Sequence, residues 1–482
     1  MSKHIERRRF LANLGVATLS LTFASRLAAK KNAHRPNILF IAVDDLRPQL
    51  GCYGRKEMIT PNIDALAASG TLFERAYCQV AVCGASRASL LSGLRPNANR
   101  FKTHKDRVSV QAPEATTLPA YLKQNGFVTI SNGKIYHHWD DDIDAWSKKP
   151  FRARGEHQYF RPENIALHKN NQTLDRKRNT RGPSYESADA PIEQYPDHIM
   201  TDKSIRDLKQ LAGGDKPFFL AAGFARPHLP FNAPKEFWDM YDEKEINLAD
   251  NPFRPKGCPD VALHQYGELR HYDGVPPKGP IADELAKKLI HGYYACTSFV
   301  DYEVGRLLKA LDDLNLRKNT IVILWGDHGW QLGEHALWCK HSNFETSTHV
   351  PMLISAPGFP NNRTRALVEF VDIYPTLCEL SSLPLPEHLE GSSYVPLMRD
   401  PGQPWKQAAF SRWGRGWSVR TDRYRYTEWR DKNGDMSDRM LYDHENDPNE
   451  NVNSAEQPEN GAIVGELSGM LGKGWRAFRK QR

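Results

Sequence analysis

Asn37-Ile-Leu-Phe-Ile-Ala-Val43 is an unbroken apolar run that stops at Asp44-Asp45, and Thr320-Ile-Val-Ile-Leu-Trp-Gly326 is a second that stops at Asp327-His328. Runs of this length without alternation predict strands buried on both faces, as in a parallel sheet. Phe218 to Phe224 and Pro351 to Ala356 read as further central strands. Helical patterns lie between them. The longest passes through Leu285, Leu289, Tyr293, Cys296, Val300, Val304, Leu308 and Leu311 at steps of three and four, the stripe of a helix with one buried face. Strands alternating with helices predict an α/β sheet with its site at the carboxyl edge.

Two stretches break the pattern. Residues 140–200 and 240–282 are rich in Arg, Lys, Asp, Pro, His and Tyr and show little periodicity. They read as insertions that wall the mouth of a site, with a solvated loop the equal alternative for 165–190. Past residue 400 the pattern changes to short strands, at Ala408 to Trp413, Trp417 to Thr421 and Tyr424 to Trp429. These predict a small antiparallel sheet, followed by Leu441-Tyr-Asp443, Asp447-Pro-Asn-Glu450 and a last helix around 460–478. The division predicted is a leading segment over 1–30, a large α/β domain over 31–400 and a C-terminal subdomain over 401–482.

Composition changes this picture in one place. Arg7-Arg-Arg-Phe-Leu11 stands ahead of the moderately apolar stretch from Leu14 to Ala24, which reads as a twin-arginine export signal handled by the twin-arginine export machinery. Cleavage after Ala24 or near Ala29 is expected to leave an exported, periplasmic or secreted protein with no stable membrane insertion. That segment holds a net +5 of the formal +7. The remaining +2 gives no reason to expect a nucleic-acid partner. Seven widely spread cysteines do not form a disulfide framework.

The candidate chemistry gathers at the predicted strand ends. Carboxylates at Asp44, Asp45 and Asp327 repel one another unless a cation neutralises them, and an oxygen-rich set favours Ca²⁺ or Mg²⁺. His328 is a weaker ligand for such an ion, or orients its neighbour. Cys83 opens the run Val82-Cys-Gly-Ala-Ser-Arg-Ala-Ser-Leu-Leu-Ser-Gly-Leu-Arg95. A cysteine at a helix N-terminus with Arg87 one turn later suits an oxyanion, although a lone cysteine is most often inert packing. Lys134 and His137 share one face if their stretch turns helically. His228 follows a strand directly, where catalytic histidines are often found.

The Cys83 run resembles the signature of the type I sulfatases, C-x-[P/A]-S-R-x-x-x-L-x-x-G-x-R. Pro36 to Asp45, Gly133-Lys-Ile-Tyr-His137, Arg226-Pro-His-Leu-Pro-Phe231, Gly326-Asp-His-Gly-Trp-Gln-Leu-Gly-Glu-His335 and Leu441-Tyr-Asp443 with Asp447 to Glu450 extend the likeness over most of 35–455, nearest the iduronate-2-sulfatase branch. The resemblance implies an alkaline-phosphatase-like fold: a mixed, mainly parallel sheet flanked by helices, with a smaller C-terminal subdomain containing an antiparallel sheet. It implies hydrolysis of sulfate esters on sulfated saccharides through formylglycine made from Cys83. One hydroxyl of its hydrate takes the sulfate and the other then expels it. By the same resemblance Asp44, Asp45, Cys83, Asp327 and His328 hold one Ca²⁺. Arg87 and Lys134 steady the hydrate, His137 is its base, His228 protonates the leaving alcohol and Lys340 grips sulfate. Position 85 is Ala, where the motif most often has proline, which leaves the maturing partner open between an aerobic formylglycine-generating enzyme and a radical maturase. Rival readings are a phosphate or phosphonate ester hydrolase on the same fold, or a non-catalytic glycan-binding relic with Cys83 unmodified.

Overall fold

The computed structural model describes residues 35–154, 159–174 and 179–480, so the predicted export signal lies outside the described residues. Its centre is a seven-stranded sheet made of β1 (Asn37–Asp44), β2 (Thr71–Tyr77), β3 (Val128–Gly133), β4 (Phe218–Pro227), β5 (Thr320–Gly326), β6 (His349–Ser355) and β7 (Asn362–Glu369). Their order across the sheet is β7-β2-β6-β5-β1-β4-β3. β3, β4, β1 and β5 are mutually parallel. β6 runs antiparallel to both its neighbours, and β7 is parallel to β2.

The continuous apolar runs are continuous because both faces are covered. Ile38, Phe40 and Ala42 of β1, with Ile321, Ile323 and Trp325 of β5, pack on the helices α2 (Cys83–Ser92) and α5 (Ile373–Leu380). The alternating residues Leu39, Ile41, Val43, Val322 and Leu324 pack on α1 (Pro61–Ala68), α3 (Pro196–Leu211) and α4 (Asp283–Asp313). α4 is the long stripe read from the sequence, and its Val300, Val304, Leu307 and Leu311 are buried on that face.

The C-terminal sheet has four strands in the order β8-β9-β10-β11: β8 (Ala409–Trp413), β9 (Gly416–Arg420), β10 (Tyr424–Arg430) and β11 (Met436–Asp443). Helix α6 (Gly461–Lys473) covers it, with Val419, Tyr426, Leu441, Val464 and Leu467 forming a core of their own. The last predicted helix is thus shorter than 460–478, and Trp475–Phe478 is a separate 3-10 turn. The described part of the 140–200 insertion is not a bare loop. It contains a helix at Pro162–Thr173 and a strand at Tyr185–Ala188 paired with Phe231–Pro234. Among the described residues no helix is long and apolar enough to cross a membrane.

Candidate active site

β1 and β5 lie side by side with Val43 opposite Gly326, so the two acidic pairs leave the sheet together. Asp45 takes a left-handed turn (φ 63°). Its N–H donates to Asp327 Oδ1 at 2.9 Å, and its carbonyl accepts from the Tyr293 hydroxyl at 2.8 Å. Cys83 is the first residue of α2, after an extended Val82, and Gly93 ends the helix at φ 70°. The Cys83 Sγ lies 3.2 Å from His328 Nε2 and 3.8 Å from Asp45 Oδ1. One turn on, Arg87 places Nε 2.8 Å from Asp327 Oδ2 and Nη2 2.9 Å from Asp44 Oδ1. Its Nη1 donates to the carbonyls of Lys134 and Ile135. The Ser86 hydroxyl donates to the Asp327 carbonyl at 2.6 Å.

The remaining candidates arrive from the flanking strands. Gly133 (φ 77°) turns the chain at the end of β3, and 134–138 are bends rather than the helical turn that would have brought Lys134 and His137 onto one face. Lys134 Nζ pairs with Asp44. His137 lies near enough to feel Lys134, Asp44 and Arg87, and its buried Nδ1 has no hydrogen-bond partner. His228 follows β4. Its Nδ1 meets the Leu229 carbonyl at 2.7 Å and its Nε2 stands 3.9 Å from Asp45 Oδ2. Lys340 Nζ is 3.1 Å from both Asp45 oxygens and 4.8 Å from the centre of the Trp330 ring.

All the sequence candidates therefore meet at one edge, and one further residue joins them. Glu268, from the 240–282 insertion, stands 2.9 Å from His228 Nε2 and 2.8 Å from Lys340 Nζ. Its surroundings, His264-Gln-Tyr-Gly-Glu268, carry no periodicity or motif. The one signal in the sequence is that residues 240–282 read as a wall of the site.

A family profile described as Sulfatase matches residues 36–383, and one described as N-sulphoglucosamine sulphohydrolase, C-terminal, matches residues 333–474. The chain belongs to the sulfatase family. Human iduronate 2-sulfatase is 33% identical, over 86% of this chain and 89% of the relative. A sulfatase of Formosa agariphila is 31% identical, over 97% and 92%. Among solved structures, a phosphonate monoester hydrolase of Agrobacterium radiobacter superimposes with a TM-score of 0.73 at 22% identity, covering 92% of this chain and 96% of the other. A protein in complex with its substrate D-glucosamine-2-N,6-O-disulfate does so with a TM-score of 0.72 at 22% identity, covering 92% and 98%. The protein is a type I sulfatase on the iduronate 2-sulfatase side of the family and a sulfuric ester hydrolase, built on the alkaline-phosphatase-like fold.

The charges of this sulfatase's site are tightly interlocked. Burial would raise the Asp44 carboxyl, but Lys134 and Arg87 hold it well below the usual carboxylate range. Burial does lift Asp327, in spite of His328 and Arg87. Burial and the Asp44 carboxylate push the Cys83 thiol well up, so an unmodified Cys83 stays a protonated, poorly nucleophilic thiol. Burial lowers His137 to about 2, aided by the Lys134 ammonium, which keeps its ring neutral. Burial works against the charged form of His228, yet Asp45 and Glu268 leave it raised.

The donor set fits a hard divalent cation. His328 Nδ1 must carry hydrogen to meet the Gly329 carbonyl at 2.9 Å. In the neutral ring this turns the Nε2 lone pair toward Asp45 Oδ1 at 3.3 Å and Asp327 Oδ1 at 3.6 Å. The Cys83 side chain lies within reach of Asp44 and Asp45 in one grouping and of Asp327 and His328 in another, and a mainly carboxylate set suits Ca²⁺ or Mg²⁺.

Proposed function

We propose that this sulfatase hydrolyses sulfate monoesters on sulfated carbohydrates of the kind iduronate 2-sulfatases act on, using formylglycine derived from Cys83 and one Ca²⁺. The observation that carries the reading is the position of the Cys83 Sγ. It sits at the first turn of a buried helix, 3.2 Å from His328 and 3.8 Å from Asp45, where an oxyanion is favoured by free backbone N–H groups.

Asp44, Asp45, Asp327 and His328, with residue 83, would hold the cation. When bound, the cation and the hydrated formylglycine supply charge neutralisation and the attacking hydroxyl. The chain's own residues do the rest. Arg87 fixes Asp44 and Asp327 relative to each other. Lys134, paired with Asp44, adds positive charge on the same side. His137 is neutral and takes a proton from residue 83. His228 has its Nδ1 hydrogen committed to the Leu229 carbonyl, so its Nε2 hydrogen is the one given to the leaving oxygen. Lys340 clamps the nonbridging charge.

The sequence-based reading of residues 1–30 adds export of the protein across the membrane. The test is sulfate release from a panel of sulfated saccharides, with the state of Cys83 checked by peptide mass. Turnover should track the fraction of oxidised residue 83 and vanish in Cys83→Ala. Full activity from a preparation retaining only the unmodified thiol would overturn the proposal.

A further inference from the structure

Glu268 brings a fourth carboxylate to a centre that already has three. Asp44, Asp45 and Asp327 face the fixed cations Arg87, Lys134 and Lys340. Glu268 adds a further negative charge, paired with Lys340 and His228. It lies on the outer side of Lys340: the ammonium touches Asp45 at 3.1 Å on one side and both Glu268 oxygens, at 2.9 and 2.8 Å, on the other. Its Oε1 is also 2.9 Å from His228 Nε2. Burial would raise this carboxyl, but Lys340 and His228 together hold it well below the usual range, so it is a fixed negative charge.

In the reading proposed above, Lys340 and His228 are the two groups that receive the ester's charged head and its leaving oxygen. A carboxylate in contact with both is a close neighbour of that head. A sulfate monoester carries one negative charge there. A phosphate monoester of the same alcohol has nearly the same shape but carries close to two near neutral pH. Repulsion grows with the product of the charges and is strong where water is excluded. The extra carboxylate therefore opposes the phosphate ester about twice as strongly as the sulfate ester.

We infer that Glu268 is a specificity-determining residue, whose carboxylate beside Lys340 and His228 makes the site select singly charged sulfate esters over doubly charged phosphate esters. The inference rests on the assignment of Lys340 and His228 to the ester. It does not depend on which sugar is attached.

The test uses the full chain with oxidised residue 83 and three esters of one alcohol that the wild type turns over as its sulfate. These are the sulfate, the phosphate and the methylphosphonate, the last carrying a single charge. In Glu268→Gln the phosphate-to-sulfate ratio of kcat/KM should rise by about tenfold or more, with the phosphonate-to-sulfate ratio unchanged. Glu268→Asp keeps the charge and should keep the wild-type ratio even if overall activity falls. Where wild-type phosphate turnover is below detection, the ratio is read from inhibition of sulfate hydrolysis by the phosphate ester. An equal loss on all three esters in Glu268→Gln would make Glu268 a structural support only and overturn the inference. So would a phosphonate gain that matches the phosphate gain. Lys340→Ala separates the two levels. If it hydrolyses the sulfate like the wild type, the assignment of the site falls and the inference with it. If it is impaired while Glu268→Gln leaves the ratio unmoved, only the inference falls.

Discussion

Arg87 spans two carboxylates with separate nitrogens, 2.8 Å to Asp327 and 2.9 Å to Asp44, with no solvent exposure on any of the three side chains. A lysine keeps the charge but not the fork. Arg87→Lys is therefore expected to lower kcat/KM by about a hundredfold, as misplacement in a preorganised site does, and steady-state kinetics beside a melting curve would separate this from simple unfolding. Asp327→Asn removes one of the three carboxylates read as cation ligands while keeping the side-chain shape. Calorimetric titration with Ca²⁺ should show weaker binding, and affinity equal to wild type would take Asp327 out of the ligand set.

Elements bring these residues together by close backbone approach as much as by side-chain packing. A Cβ on Gly223 of β4 would fall 2.3 Å from the Lys134 carbonyl oxygen, and the Lys134 N–H donates to the Gly223 carbonyl at 2.8 Å. Gly223→Ala should force the end of β3 away from β4 and shift the Lys134 carbonyl that Arg87 holds. Overpacking of this kind costs about 1–3 kcal/mol. The loss should appear as a lower Tm together with a fall in kcat/KM larger than a comparable Tm loss elsewhere produces.

The same elements show what the sequence could carry. β1 and β5 were legible because both faces are buried, which leaves no alternation to confuse, and their terminal acids mark the edge. α2 was legible through its motif. The reversed direction of β6 was not, since a buried apolar run has no polarity. β11 was missed because its first half, Met436-Ser-Asp-Arg, is held by backbone pairing to β10 with little apolar burial. The helix at 162–173 has only Asn171 buried, so it shows no apolar stripe. Glu268 was illegible because its partners, His228 and Lys340, lie 40 and 72 residues away in opposite directions.

At the scale of the whole molecule, a buried carboxylate at the edge of the large sheet helps to fasten the C-terminal sheet to it, beside the Arg412 N–H that donates to the Gln79 carbonyl at 2.9 Å. Glu369, at the end of β7, meets Arg95 through both oxygens at 2.6 Å and Lys406 at 2.7 Å, and accepts the Phe410 N–H of β8 at 2.9 Å. Burial raises this carboxyl, but Arg95 and Lys406 outweigh it and bring it down to about 2 from an ordinary 4.5. The folded value lies below the unfolded one, so this contribution is complete above pH 4.5 and is lost as the pH falls toward 2. Glu369→Gln leaves the buried Arg95 without its carboxylate, while Lys406 keeps Asp372 at 2.6 Å; loss of one partner of a buried pair costs about 3–5 kcal/mol. Denaturant unfolding at pH 7, 4 and 3 should show the wild-type advantage over this variant shrinking with acidity. A gap that is constant with pH would refute the assignment.

The Cys83 side of the molecule has a consequence in time. The sulfur belongs to a residue only 2% exposed, and its neighbour His328 comes from 245 residues further along the chain. A protein-sized catalyst has no way to grasp a side chain sealed like this. Under the proposed maturation, oxidation of Cys83 would have to happen while the stretch around it is still slack, before the late strands arrive. Folding and that maturation would then be in a race, and a polypeptide that folded first would be trapped as a well-folded but chemically blank protein.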